Sequence, residues 1–345
     1  MESTKTRILK KLLETDGYLS GQELCEQLGV SRTAVWKYMK QLKEEGYEIE
    51  AVQNKGYCLK DVPDVLGESE IKSRLHTRWV GQTLYYYDEI DSTNTQIKRL
   101  AEEDAPHGTL AVADYQSRGK GRRGRAWDSP HGSAIYMSIL FRPEIRPDRA
   151  SMLTLVIGLS VTQAIRSNLG LQAQIKWPND VVLNGKKLVG ILTEMSAQMN
   201  YIEYLVTGIG INANLREFPE ELEDKATSLQ KEIGHKVNRS ALIAECMEKI
   251  EENYEGYKDK MTILDSWTPV TYKRYCNAYK GYNQAFVASK NADAKLYPSP
   301  YVKNLDNVIL CGQWITPPGG VPGAAITGKF AIQRILKKEN KDVNI

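Results

Sequence analysis

The sequence predicts an α+β fold in three parts: an N-terminal winged helix-turn-helix over residues 1–62, a central mixed α/β domain with a mainly antiparallel sheet over 63–262, and an atypical C-terminal segment over 263–345. Three observations lead there. The first sixty residues carry helix-spaced apolar stripes punctuated by caps and glycines. From Thr83, short β-type runs alternate with helical stretches. Beyond about Leu264 the composition shifts again, toward Pro/Gly-rich sequence such as Pro317-Pro318-Gly319-Gly320.

In the N-terminal part, Ile8, Leu9, Leu12 and Leu13 put an apolar stripe on one face of a short helix that Asp16-Gly17 stops. Ser20 stands three residues before Glu23, a capping-box spacing that starts a second helix through Leu24 and Leu28. Gly29 suits the left-handed position that ends it. Ser31 caps a third helix running to about Glu45, and Gly46 closes that one. Val35, Tyr38, Met39 and Leu42 share one side of the third helix, while Thr33, Trp36, Lys37 and Lys40 lie opposite. Between Ser31 and Lys43 there are four basic residues and no acid. The run Tyr47 to Val52, a turn at Asn54-Lys55-Gly56 and Tyr57-Cys58-Leu59 read as a hairpin wing. Such a recognition helix supplies Ser31, Arg32, Thr33, Trp36, Lys37 and Lys40 to DNA, with Lys55 on the wing. The competing reading is a helical protein-interaction module with a solvated basic face. Asp61 to Ser69, with Pro63 and Gly67, reads as the linker.

The central part offers strands at Leu84–Tyr87, Thr109–Tyr115, Ala134–Leu140, Ile175–Trp177, Val181–Leu183, Leu188–Glu194 and Tyr201–Thr207. Ser92 caps a helix to about Glu103, and Ala150 to Asn168 reads as a longer helix. Asn184-Gly185 between two apolar runs marks a type I′ hairpin.

Composition bounds the function. A length of 345 residues suits two or three domains, and 41% hydrophobic residues suffice for real cores. No stretch approaches the roughly 20 apolar residues that span a bilayer, and Met1 to Lys11 shows no secretory pattern. Five scattered cysteines without a CxxC pair read as reduced thiols, which predicts a cytoplasmic protein. The four histidines lack ligand spacing, so zinc is not expected. A net charge of +3 carries no argument for nucleic acid without local patterning.

The most unusual segment is Gly119-Lys120-Gly121-Arg122-Arg123-Gly124-Arg125, followed by Trp127. Glycines let the backbone approach an anion, and four cations in seven residues supply countercharge. The segment has neither the ending of a P-loop nor the spacing of a dinucleotide fingerprint. A flexible basic loop touching nucleic acid fits it equally well. Three further segments bear on it: Lys176-Trp177-Pro178-Asn179-Asp180, Gly185-Lys186-Lys187-Leu188-Val189-Gly190-Ile191-Leu192, and Gly208-Ile209-Gly210-Ile211-Asn212.

In this order, with Asp91-Ser92-Thr93-Asn94 and Ala113-Asp114-Tyr115-Gln116 upstream, these segments resemble the biotin–protein ligase family. The winged helix in front narrows the resemblance to bifunctional ligases that also repress the biotin operon. It covers residues 1 to about 262. It implies an enzyme that joins biotin to ATP as biotinyl-5′-adenylate and passes biotin to a lysine of biotin carboxyl carrier protein. It implies binding of biotin by Ser92, Thr93, Asn94, Gln116, Gly119, Lys120, Gly121, Arg122, Lys187, Gly190, Gly208 and Gly210. For ATP it implies Arg122, Arg123, Arg125, Trp127, Asn179, Lys187 and Asn212, with Trp127 stacking on adenine. Bringing two anions together needs preorganised cations, so Lys120, Arg122 and Lys187 are the expected catalytic groups, with Asp180 holding Mg²⁺ or orienting the carrier lysine. Lys120 stands where the family commonly has arginine, which weakens bidentate phosphate contact. Ser92 has a plain helix cap as its alternative role. The adenylate would act as corepressor, favouring a homodimer that spans an operator.

The tail departs from the family. An SH3-like β-barrel should follow the helix at about Ser240 to Lys258. Instead the sequence runs through Asp265-Ser266-Trp267-Thr268-Pro269 and Asn304-Leu305-Asp306-Asn307-Val308-Ile309 to Pro317–Ala325. This resembles the C-terminal end of phytoene-desaturase-type FAD oxidoreductases. No GxGxxG follows a strand elsewhere, so no FAD is expected. A repressor that has lost ligation with its barrel is the alternative that this departure raises.

Overall fold

A computed structural model describes residues 3–145, 147, 150–198, 201–260, 301–302 and 305–309. The chain falls into two units, residues 1–261 and 262–345. In the second unit the described residues are one antiparallel pair; the remaining tail expectations lie outside the described residues.

The N-terminal elements are α1 (Thr4–Glu14), α2 (Gly21–Leu28), α3 (Arg32–Glu44) and the hairpin β1 (Glu48–Val52) with β2 (Gly56–Asp61). Each helix has a serine at its start. Ser3 accepts from Thr6 N–H, Ser20 from Gln22 N–H and Ser31 from Ala34 N–H. The expected capping box does not form: Ser20 caps Gln22 rather than Glu23, and the Glu23 carboxylate accepts from the Gln27 amide one turn on. Gly29 takes the left-handed conformation at φ 66° that ends α2. Ile8, Leu9, Leu12, Leu24, Val35, Met39 and Leu42 form the small core. The wing gains a third short pairing, in which Leu19 and Tyr57 exchange backbone hydrogen bonds at 2.7 and 2.9 Å. Gly56, at φ 110°, lies so close to the Leu19 carbonyl that a side chain would collide with it.

The next elements are α4 (Glu68–Lys72), β3 (Leu84–Ile90), α5 (Thr93–Glu102), β4 (Leu110–Gln116), β5 (Ile135–Phe141), α6 (Ala150–Leu169), β6 (Gln174–Lys176), β7 (Asp180–Leu183), β8 (Lys186–Ala197), β9 (Ile202–Ile211), α7 (Glu220–Glu223), α8 (Leu229–Ile233) and α9 (Arg239–Lys260). The pair in the second unit is β10 (Tyr301–Val302) and β11 (Leu305–Ile309). One seven-stranded sheet runs in the order β3-β4-β5-β9-β8-β7-β6. Only β3 and β4 run parallel, joined through α5, so the sheet is mainly antiparallel as its sequence predicts. Asn184 and Gly185 both have positive φ, as a type I′ turn requires.

Both faces of the sheet are covered. Leu153, Ile157 and Val161 of α6 and Leu242, Met247 and Ile250 of α9 pack one core with Met137 and Ile139. Ile97 and Leu100 of α5 pack a second with Leu140 and Val206. Strand β5 is therefore buried along its whole length. The N-terminal module is tied to this domain by side chains. Lys5 Nζ bridges Glu45 at 2.7 Å and Glu70 at 3.1 Å. In the linker, Asp64 accepts from the backbone and side chain of Arg239 and from Asn214.

Candidate functional site

Above the middle of the sheet lies a partly open cleft, floored by residues of β4, β5, β8 and β9 and bordered by the segment Gly119–Trp127. Ser92, Thr93, Asn94, Gln116, Lys120, Gly121, Arg122, Trp127, Asn179, Lys187, Gly190, Gly208 and Gly210 all line it, so six separate sequence segments converge. Tyr136, Met137, Ile191, Leu192 and Ile209 supply an apolar remainder that sequence reasoning did not assign.

The polar end is prearranged. Gln116 Oε1 accepts from Thr93 N–H at 2.9 Å and from Thr93 Oγ1 at 3.1 Å, while its amide donates to Ser129 Oγ. Ser138 Oγ lies 2.7 Å from Thr93 Oγ1 and 2.6 Å from Asn94 Oδ1. Asn94 Nδ2 donates to Glu194 at 2.8 Å. Ser138 and Ser129 were missed; a buried serine inside the apolar run Ile135–Phe141 was the available signal. Ser92 occupies the N-cap position of α5, where its carbonyl accepts from Gln96 N–H and its hydroxyl makes no capping bond. Burial alone would raise the Glu194 carboxyl, but hydrogen bonds from Lys98 and Asn94 outweigh it and hold the group below the usual range.

The glycines make room for specific neighbours. Gly190 and Gly210 are cross-strand partners on β8 and β9. A Cβ on Gly190 would lie 2.5 Å from Trp127 Cζ3, and one on Gly210 would lie 2.7 Å from Trp127 Cε2. The indole therefore rests on a floor that only glycine leaves open. Gly208 does the same for the Asn94 amide. Trp127 Nε1 is buried in the cleft without a hydrogen-bond acceptor.

The segment from Gly119 to Trp127 is a flap pinned to both walls. It contains a single 3₁₀ turn at Arg122–Gly124, with Arg123 at φ 59° and Gly124 at φ 72°. Lys120 Nζ reaches Thr95 Oγ1 at 2.9 Å, and Arg122 Nη1 reaches Asn179 Oδ1 at 2.7 Å. Lys187 Nζ stands 5.3 Å from the Trp127 ring centroid and forms an ion pair with Asp180. Three cations and one carboxylate at this mouth leave it net positive, which suits an anionic ligand.

Five predicted residues lie outside the cleft lining. Gly119 is the flap's base, where a side chain would strike the Trp127 carbonyl. Asp180 sits behind Lys187. Arg123 and Arg125 border a recess on the flap's outer side with Arg118 and Glu194. Asn212 is buried, and its amide donates to the Thr227 carbonyl at 3.0 Å. Among the described residues no group of three His, Cys, Asp or Glu side chains could hold a metal.

On the N-terminal module, Arg32, Thr33, Trp36, Lys37 and Lys40 are exposed on α3, and Lys55 is exposed at the wing tip. Ser31 engages its hydroxyl oxygen in the helix cap. Lys55 Nζ lies 5.5 Å from the Tyr18 ring. No helix among the described residues is long and apolar enough to cross a membrane.

Residues 86–212 match the biotin/lipoate A/B protein ligase family, and residues 4–58 match a helix-turn-helix domain. The bifunctional ligase/repressor BirA of Bacillus spizizenii is 45% identical over 274 residues, covering 78% of this chain and 83% of that one. BirA of Escherichia coli is 32% identical over 250 residues, covering 72% and 76%. Among solved structures, a biotin protein ligase from Aquifex aeolicus in complex with biotin and ATP is 38% identical at a TM-score of 0.46, covering 52% of this chain and 73% of that one. The fold and the cleft define a ligase-type domain behind a helix-turn-helix. The chain belongs to the bifunctional ligase/repressor family of BirA.

Proposed function

We propose that the chain is an ATP-dependent biotin–protein ligase that also represses transcription in response to biotin. The observation that carries this reading is the convergence of the flap cations Lys120 and Arg122 with Lys187 over a polar pocket built from Thr93, Asn94 and Gln116. Neutral polar groups suit the ureido ring of biotin, and the apolar wall of Ile191, Leu192 and Ile209 suits its carbon skeleton. The carboxylate oxygen attacks the α-phosphorus of ATP, pyrophosphate leaves, and a mixed anhydride results. Lys187 and Arg122 offset the repulsion between the two anions and stabilise the charge that grows in the transition state. Trp127 provides a plane for adenine and Asn179, bonded to Arg122, borders the same cleft, while Arg123 and Arg125 would have to turn inward from the outer recess to reach the nucleotide. A carrier lysine amine then attacks the acyl carbon and releases AMP. Biotin carboxyl carrier protein is the acceptor in this reading.

Mg²⁺ fits through one carboxylate plus substrate phosphates rather than a protein cage. Asp180 is the acid at the mouth, and its buried Oδ1 lacks a hydrogen-bond donor in good geometry, although Lys187 Nζ is 2.7 Å away. When bound, the ion would neutralise charge on the departing pyrophosphate. Asp180 would hold it, leaving Lys187 for the reacting oxygens.

For repression, residues 1–62 bind the operator through α3 and the wing, and residues 63–262 bind the adenylate, which favours a homodimer. An ATP-consuming role of this kind places the protein in the cytoplasm. Calorimetry of biotin binding with and without ATP, paired with operator retention under the same conditions, tests both halves. Heat from biotin and tighter DNA binding with biotin plus ATP are expected. Folded protein giving neither would overturn the reading.

A further inference from the structure

The outer face of α3 carries one large apolar group among its cations. Trp36 is 60% exposed, at the fifth position of the helix, while Val35 and Met39 beside it are buried. Its indole nitrogen has no hydrogen-bond partner among the described residues, and Lys40 Nζ stands over the ring, 5.9 Å from its centroid. Thr33 precedes it by one turn and Lys40 follows by one turn, both exposed. An indole in water at this place contributes nothing to the module's core. Lys37 and Lys40 flank it with charge suited to phosphates, which points to duplex DNA as the occupant rather than an apolar protein groove.

Resting on the DNA-binding reading above, we infer that Trp36 reads thymine in the major groove by packing its ring on the C5-methyl group. The N-terminal half of a recognition helix is the part that meets base edges. Of the groups displayed in the major groove, the thymine methyl is the apolar one; the others are donors and acceptors. An indole has no acceptor and a single donor, so it matches poorly to adenine or cytosine amino groups and well to a methyl. Lys40 over the ring adds positive charge beside it for the neighbouring phosphate.

The test uses the full chain with biotin and ATP and a duplex that it retains from a pool with a randomised centre. That duplex is remade with deoxyuridine replacing thymine, first throughout and then one position at a time, which removes only the methyl. Wild type should lose about fourfold in affinity at each contacted thymine, the worth of one buried methyl. Trp36→Ala should bind more weakly but treat both duplexes alike, and Trp36→Phe should restore part of the discrimination. Lys40→Ala should weaken binding to both duplexes equally and flatten the salt dependence. Unchanged thermal midpoints keep folding out of the comparison. Equal wild-type affinity for the thymine and deoxyuridine duplexes overturns the inference, as does discrimination that survives in Trp36→Ala. If folded wild type retains no duplex from the pool, the DNA-binding reading itself fails and this inference falls with it.

Discussion

Lys187 Nζ lies 2.7 Å from Asp180 Oδ1, diagonally across the antiparallel strands β7 and β8 and over the face of the Trp127 ring. The pair holds an ammonium at the cleft mouth in an orientation set before any ligand arrives. Preorganised charge of this kind carries catalysis when negative charge develops between two anions.

Under the proposed function, substituting Lys187 should act on the chemical step. Lys187→Gln should lower the rate of adenylate formation about a hundredfold or more, with a smaller effect on biotin affinity. Single-turnover measurements separate the two. A loss confined to biotin affinity would move Lys187 out of the catalytic group. Asp180→Asn should raise the Mg²⁺ concentration needed for half-maximal rate, read from a metal titration at fixed ATP.

The glycine floor predicts a different phenotype. Gly190→Ala or Gly210→Ala puts a methyl within 2.5 or 2.7 Å of the Trp127 ring, so the flap must shift. Substrate binding should weaken about tenfold for about 1.4 kcal/mol of lost packing, with the thermal midpoint of the domain little changed. Tryptophan fluorescence and calorimetry on each variant check both statements.

Much of this site was legible in the sequence, and the reason is chemical. Glycines, cations and amides in Gly119–Arg125, Asn179 and Gly208–Gly210 are costly choices inside or beside strands, so their pattern stands out. Cap residues Ser20 and Ser31 and the turn Asn184-Gly185 are likewise local signals, and each sits where its backbone demands it. What was not legible depends on tertiary pairing. Ser138 matters because β5 lies beside β9 and under α5, which brings it to Asn94. Asn212 follows the site motif in sequence, yet its amide is taken by Thr227, a partner that no spacing rule exposes. The pairing of Lys187 with Asp180 also needed the register of β7 on β8.

The linker network should be stabilising as a unit. Arg239, 4% exposed, joins Asp64 at 3.0 Å and Asp114 at 2.6 Å, and Asp114 also meets His131 Nδ1. Arg239→Met leaves two carboxylates without their cation and should cost about 3–5 kcal/mol in urea unfolding. A loss under about 1 kcal/mol, the range of exposed pairs, would show that the network is solvated.

Acid sensitivity follows from Glu251. Burial would raise its carboxyl, but hydrogen bonds from the backbone N–H groups of Arg78, Trp79 and Val80 outweigh burial and lower it. A carboxyl depressed in the folded state stabilises fully above its unfolded value, and that contribution is lost as pH falls through the folded one. Glu251→Gln should cost about 1–3 kcal/mol at neutral pH. The difference from wild type should shrink on acidification below the ordinary carboxylate range, measured by thermal midpoints across pH. A constant difference at all pH values would contradict the assignment.

The most direct measurement is biotin-dependent exchange of labelled pyrophosphate into ATP, on the full chain and on a version ending near Met261. Exchange requiring both biotin and ATP, and reduced about a hundredfold or more by Lys187→Gln, is the expected result. Folded full-length and shortened proteins that both fail to exchange would contradict the account.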